Sequence, residues 1–106
     1  MQTLKKRKEF SYVYKKGSAQ GARSMTLVCL PRKYGDTKVG FSVSKKIGCA
    51  VVRNRTRRRM KEAYRAIEEN VFRPCLLIFV AKPPITELGF TELKDEMTRL
   101  LKKKLK

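Results

Sequence analysis

Apolar residues recur along this chain with two different periods, and the switches between them outline the fold. Phe10, Val13 and Tyr14 fall three and four residues apart within Lys5 to Lys16, the spacing of one helix face, and Gly17 stands where such a helix would stop. Met25 to Leu30 is apolar and strand-like, and Pro31 ends it. Tyr34-Gly35-Asp36 marks a turn before Val39 to Ser44, where Val39, Phe41 and Val43 alternate with smaller residues. Beyond Gly48 the period is helical again, from about Ala50 to Asn70. Leu76 to Ala81 is an unbroken apolar run, the mark of a strand buried on both faces, and Pro83-Pro84 closes it. A last helix is expected from Thr91, as N-cap, with Leu93, Met97, Leu100 and Leu101 on its buried side. Its lysine-rich tail from Lys102 is expected to fray. The order is helix, two or three strands, helix, strand, helix, which describes an α+β sandwich with helices packed on one sheet.

No repeat, linker or low-complexity block divides the sequence, and 106 residues supply one modest core rather than two. A hydrophobic content of 42% fits a folded domain rather than a disordered tail. Charge adds what periodicity does not show. The chain carries 27 Lys and Arg against 9 Asp and Glu, a net charge of +18 with no His to titrate. A compact domain so basic repels itself unless an anion neutralises it, and nucleic acid is the commonest such partner. An acidic membrane surface is the rival, unsupported by any signal peptide, lipidation motif or long apolar span. The three cysteines, Cys29, Cys49 and Cys75, are distant in sequence, form no CxxC pair and have no His to complete a mixed zinc site. They read as small reduced hydrophobes of a cytoplasmic protein, although Cys49 lies beside a basic motif.

That motif belongs to the long helix. At 100° per residue, Val52, Thr56, Met60, Ala63 and Ile67 share an arc of roughly 80°, the expected core stripe. Arg53, Arg57, Lys61, Asn54, Arg65 and Arg58 occupy the sector from about 100° to 240° on the same count. A solvated helix surface normally interleaves Glu with Lys at i,i+4. Here Glu62 is the only acid between Arg53 and Ala66. Like charges therefore crowd one another until phosphates relieve them. Arginine dominates the stretch, and its planar fork grips phosphate and stacks on bases in ways lysine does not. A folded RNA fits this face better than general neutralisation, so residues 1–106 are read as a single RNA-binding domain. Lys45 and Lys46 extend the basic surface, or are simply a solvated strand end. Gly48 is read as supplying a positive φ rather than a phosphate cradle.

An autonomous nuclease fits poorly. Hydrolysis of a phosphodiester needs clustered carboxylates for metals, or a positioned base. Asp36, Asp95 and seven Glu are scattered, His is absent, and even the adjacent Glu68 and Glu69 point in different directions on a helix.

The run Val39-Gly40-Phe41-Ser42-Val43-Ser44-Lys45-Lys46-Ile47-Gly48, followed by Ala50-Val51-Val52-Arg53-Asn54-Arg55, resembles the signature of the bacterial ribonuclease P protein family. Phe10, Val13, Tyr14 and Gly17 match that family's aromatic first helix, and Ile78 to Pro83 its last strand. The resemblance runs the length of the chain. It implies helix, three strands, helix, strand, helix, with a left-handed βαβ crossover where a right-handed one would be the default. It also implies a function: with a catalytic RNA, the protein promotes endonucleolytic removal of the 5′ leader from precursor tRNA. Mg²⁺ would be held mainly by the RNA, none tightly by the protein, and no role on DNA or membranes is expected. The implied leader contacts are Phe10, Tyr14, Arg53 and Asn54, joined by Phe41 if its ring faces the cleft. Phe10 and Phe41 suit core and cleft equally. The implied contacts to the catalytic RNA are Arg55, Arg57, Arg58 and Lys61 with Lys45 and Lys46. No catalytic or metal-ligating residue is assigned to the chain. Three positions depart from the family pattern: Cys49 replaces a usual Asn, Val28 an aromatic found in some members, and Arg59 a usual apolar residue. A ribosomal-type or architectural RNA binder without a catalytic assembly is the alternative that composition alone leaves open.

Overall fold

The unbroken apolar run becomes the centre of the sheet. In the computed structural model, which describes residues 1–105, β5 (Cys75–Ala81) is flanked on both sides. It pairs antiparallel with β3 (Met25–Pro31) and parallel with β4 (Lys38–Ser42). Two short strands complete the edges: β1 (Gln2–Thr3) lies parallel to β4, and β2 (Ser18–Gly21) antiparallel to β3. The order is β1-β4-β5-β3-β2. Parallel neighbours cannot be joined by a tight turn, so β4 and β5 require a crossover. The helix α2 (Ala50–Ile67) makes it, as the resemblance implied.

Period-two alternation sorts the central strands between two helical layers. Cys75, Leu77, Phe79 and Ala81 of β5 join Met25, Leu27, Val39 and Phe41 against α2 and α3 (Phe90–Lys104). Leu76, Ile78 and Val80 turn the other way, toward Val13 of α1 (Arg7–Lys16). The protein is therefore helix, sheet, helices, with the larger core on the α2–α3 side. At its heart Phe79 stacks on Phe41 with ring centroids 6.0 Å apart, and Tyr64 meets Phe41 edge-on at 6.1 Å. Truncating the fully buried Phe79 would cost about 3–5 kcal/mol.

The buried stripe of α2 comprises Thr56, Met60, Ala63, Tyr64 and Ile67, so it is wider than the expected arc and includes Tyr64, while Val52 is only half-buried. Arg59, unexpected at the edge of this stripe, donates from its guanidinium to the carbonyl of Leu88. It thereby ties α2 to the segment entering α3, which explains a cation in an apolar position. The last helix begins at Phe90 rather than after Thr91. Its N-cap is Gly89, whose amide donates to Glu92 Oε1 at 3.0 Å. The expected fraying is also corrected: α3 continues through Lys104, and Leu105 is only 2% exposed because it closes the core. Lys106, the last residue of that tail, lies outside the described residues. Among the described residues no helix is long and apolar enough to cross a membrane.

Candidate nucleic-acid interface

The α1 face of the sheet is built from three rows of residues read across β4, β5 and β3. Strand register places Gly40, Ile78 and Val28 in the middle row, and all three are buried. The flanking rows, Ser42–Val80–Thr26 and Lys38–Leu76–Leu30, are half-buried throughout. The helix α1 covers the middle row and leaves a groove on each side. Gly40 permits this approach. A Cβ there would lie 2.6 Å from Cε1 and Cζ of Phe10, so the missing side chain is what seats the ring on β4. Val13 is fully buried against Ile78 and Val28. Val28, where an aromatic might have faced the cleft, lies in the row beneath α1.

Around α1, Phe10 and Tyr14 share one flank, with Val13 between them and the opposite flank of Tyr12 and Glu9. Phe10 is half-buried and Tyr14 is 46% exposed, so one ring forms wall and the other rim. Residues of α2 close this groove at the β4 edge, where Arg57 and Lys61 line a hollow with Phe10, Gly40, Thr3 and Lys5. Two cations assigned from sequence to the catalytic RNA thus stand beside a leader candidate. At the far end Lys82 continues the period of Ile78 and Val80 onto the same face, and its Nζ donates to the Ala22 carbonyl at 2.7 Å. Lys82 is not evident as a member of this face from the sequence alone, although its period with Ile78 and Val80 was the signal for it.

Phe41 is chiefly a core residue, although it also lines the hollow shared by Phe10, Arg57 and Lys61. It is 8% exposed, packed on Phe79 and Tyr64, and alternation along β4 sends its ring to the α2 face while Gly40 and Ser42 face α1.

The remaining candidates surround the N-terminal half of α2. Arg53 is half-buried, and its Nε is buried without a hydrogen-bond partner. Asn54 Oδ1 accepts from the Arg57 guanidinium at 3.2 Å, orienting that arginine. Arg55, Arg58, Lys61 and Arg65 are exposed, although Arg55 points away from the sector shared by the others. Lys45 and Lys46 are exposed on the turn before α2, whose end is Gly48 at φ +152°, a conformation suited to glycine. Among the described residues, ion pairs engage the N-terminal amine with Glu68, Lys38 with Glu9, and Arg99 with Glu96, and none reaches a cation between Arg53 and Arg65. The basic face is thus uncompensated from within.

Several acidic groups are committed elsewhere. Glu9 accepts from the amides of Lys6 and Lys5, and from Lys38 Nζ at 3.4 Å; the amides, chiefly that of Lys6, hold its carboxyl below the ordinary range. Glu96 accepts from the amide of Ser24 at 2.9 Å and from its hydroxyl. Among the described residues no three His, Cys, Asp or Glu gather as a metal site would require. Cys49 is exposed at the N-terminus of α2, and the amides of Val52 and Val51 hold its thiol below the usual value. Cys29 and Cys75 are buried, and the contact with Cys29, with burial, pushes the Cys75 thiol up.

Comparison with known proteins agrees with this architecture. The family model for ribonuclease P matches residues 1–105. The ribonuclease P protein component of Shouchella clausii is 37% identical over 103 residues, covering 96% of this chain and 84% of that protein. That of Caldanaerobacter subterraneus is 39% identical over 100 residues, covering 94% and 86%. The solved RNase P protein of Staphylococcus aureus superposes with a TM-score of 0.83 at 26% identity, covering 96% of this chain and 94% of that one. The chain belongs to the ribonuclease P protein family.

Proposed function

We propose that this chain is the protein subunit of ribonuclease P, and that it contributes binding surface while a catalytic RNA contributes the chemistry. The observation that carries this reading is the groove beside α1. It joins exposed aromatic edge, half-apolar floor and uncompensated cations, the combination that binds unpaired nucleic acid. In this reading the 5′ leader of precursor tRNA lies along Ser42, Val80 and Thr26. A leader base stacks on Tyr14, with the edge of Phe10 behind it, and phosphates run past Lys82, Arg57 and Arg53. The unpartnered Arg53 Nε would gain an acceptor there, removing the desolvation penalty of an unmet donor. Arg55, Arg58 and Arg65, with Lys45 and Lys46, face outward and grip the catalytic RNA.

The chain's carboxylates are dispersed or engaged, so Mg²⁺ is assigned to the RNA partner. The protein lowers the Mg²⁺ demand indirectly. Two RNAs brought together repel, and each cation placed on a phosphate releases counterions and removes part of that repulsion. An architectural RNA binder would share the basic face but would have no use for the leader groove. The test is cleavage of precursor tRNA at low Mg²⁺ by catalytic RNA, with and without this chain. Stimulation by the chain, and silence of the RNA-free protein, are expected. Metal-dependent cleavage by the protein alone, abolished by mutating a carboxylate, would overturn the assignment of the chemistry. Absence of stimulation would return the architectural reading.

A further inference from the structure

The opposite flank of α1 carries a second groove with the same ingredients. Tyr12 lies about 160° around the helix from both Phe10 and Tyr14 at 100° per residue, and it is 55% exposed. Below it runs the third row of the sheet face, where Leu76 and Lys38 pair in register, and Leu4 completes an apolar floor. Lys8 and Arg32 stand on its walls with Lys38. Among the described residues, the only acid lining this groove is Glu9, and it is already engaged by Lys38 and by the amides that begin its own helix. Arg32 is held in place by donating to the Asp36 carbonyl at 2.7 Å. The loop it begins then presents Lys33 and Tyr34, the latter 82% exposed. A purely packing role would bury Tyr12 over Leu76; a purely solvated surface would have no apolar floor beneath Lys8 and Arg32.

The two grooves are neighbours, with a hollow lined by Lys5, Lys6, Glu9 and Lys38 between them. Leu4 lines both grooves. An RNA strand leaving the first groove past Arg57, Lys61 and Lys5 meets cations all the way to Lys8 and Arg32. We propose that the Tyr12 groove receives the 5′-distal part of a long leader, with a base stacked on Tyr12 over Leu76 and its phosphates on Lys8 and Arg32. The inference rests on the leader reading of the first groove and extends it by a few nucleotides. The occupant is an unpaired ribonucleotide segment: its rings match the tyrosine and the leucine floor, and its charge matches the cations.

Reconstituted holoenzyme carrying Tyr12→Ala, Tyr12→Phe or Tyr14→Ala separates the possibilities. Affinity is measured for mature tRNA and for precursors with a short leader, sufficient only for the first groove, and a long one. Tyr12→Ala is expected to weaken only the long-leader precursor, roughly 5- to 150-fold, the range for one lost base–aromatic stack. Tyr12→Phe, which keeps the ring, should restore it, which a folding defect specific to the alanine variant would not confine to long leaders. Tyr14→Ala should weaken both precursors. If Tyr12→Ala binds the long-leader precursor normally while Tyr14→Ala weakens both, the second groove is overturned and the first stands. If Tyr12→Ala instead impairs assembly with the catalytic RNA at every leader length, the leader is not the occupant. If neither variant discriminates by leader, the underlying leader reading fails as well.

Discussion

A single methyl group at Gly40 should be felt mainly through the ring of Phe10. A Cβ at this position would lie 2.6 Å from two ring carbons and 3.2 Å from Cδ1 of Leu4. Carbon atoms rest about 3.5–4.0 Å apart, so the ring must retreat by about 1 Å or more, and Leu4 by a few tenths. Gly40 does not have a positive φ, so alanine is tolerated by the backbone and the effect is one of packing. Overpacking of this kind costs roughly 1–3 kcal/mol. In a Phe10→Ala background the clash disappears. The gain of about 0.5–1 kcal/mol for replacing glycine within a strand then offsets what remains at Leu4. The two substitutions should therefore be strongly non-additive, with the double variant about as stable as Phe10→Ala alone. The assay is urea unfolding of the four proteins at one fixed anion concentration, since anions binding the native state raise stability on their own. Additivity within about 0.5 kcal/mol would refute the seating of Phe10 on Gly40. With it would go the picture of α1 spanning the middle row and leaving a groove on either side.

The thiols should divide by burial: Cys49 should react with a small alkylating reagent in the native protein, whereas Cys29 and Cys75 should react only on unfolding. Rapid native labelling of all three, followed by peptide mapping, would contradict the sheet register around Cys29 and Cys75. Glu9 gives a pH signature. Its carboxyl is held below the ordinary range in the folded state, so its contribution is present above that range and lost as pH falls through the folded value. Glu9→Gln should be less stable than the parent at neutral pH, with the difference vanishing on acidification; a difference that grows toward acid pH would reverse the argument.

Much of the fold was legible because its strongest elements repeat one pattern over several residues. Leu76 to Ala81 could hardly be other than a central strand, and Val39, Phe41 and Val43 alternate plainly. What escaped was short or set by tertiary pairing. Ser18 to Gly21 and Gln2–Thr3 carry no apolar alternation, because edge strands here have little to bury. Tyr64 fell outside the narrow stripe since a ring reaches the core from a wider angle than a methyl group. Thr91 looked like a cap by its hydroxyl, yet Glu92 reaching back to the Gly89 amide decides the start of α3. The basic face of α2 was visible in the sequence because opposing acids are missing from it. Which cations join Phe10 was not, because that depends on α1 crossing the sheet at Gly40, a contact thirty residues apart. The fate of Phe41 followed the same logic: its aromatic character suggested either role, and only strand pairing chose the face.

In the proposed reading the cleft beside α1 holds the leader while the outer face of α2 grips the catalytic RNA. This division of the two surfaces is tested most directly by comparing Tyr14→Ala with Arg58→Ala in two titrations. One measures assembly with the catalytic RNA across salt concentrations; the other measures holoenzyme affinity for precursors of graded leader length and for mature tRNA. Arg58→Ala should weaken assembly and make the slope of log affinity against log salt shallower by about one, as for a lost phosphate contact. Tyr14→Ala should leave assembly and its salt slope nearly unchanged. It should weaken precursor binding by roughly 1–3 kcal/mol once the leader is long enough to stack, and spare mature tRNA. Tyr14 is 46% exposed and outside the core, so the variant should stay folded, which a melt checks. Equal weakening of precursor and mature tRNA by a folded Tyr14→Ala protein, or damage to assembly as great as that from Arg58→Ala, would rule out this division of the two surfaces.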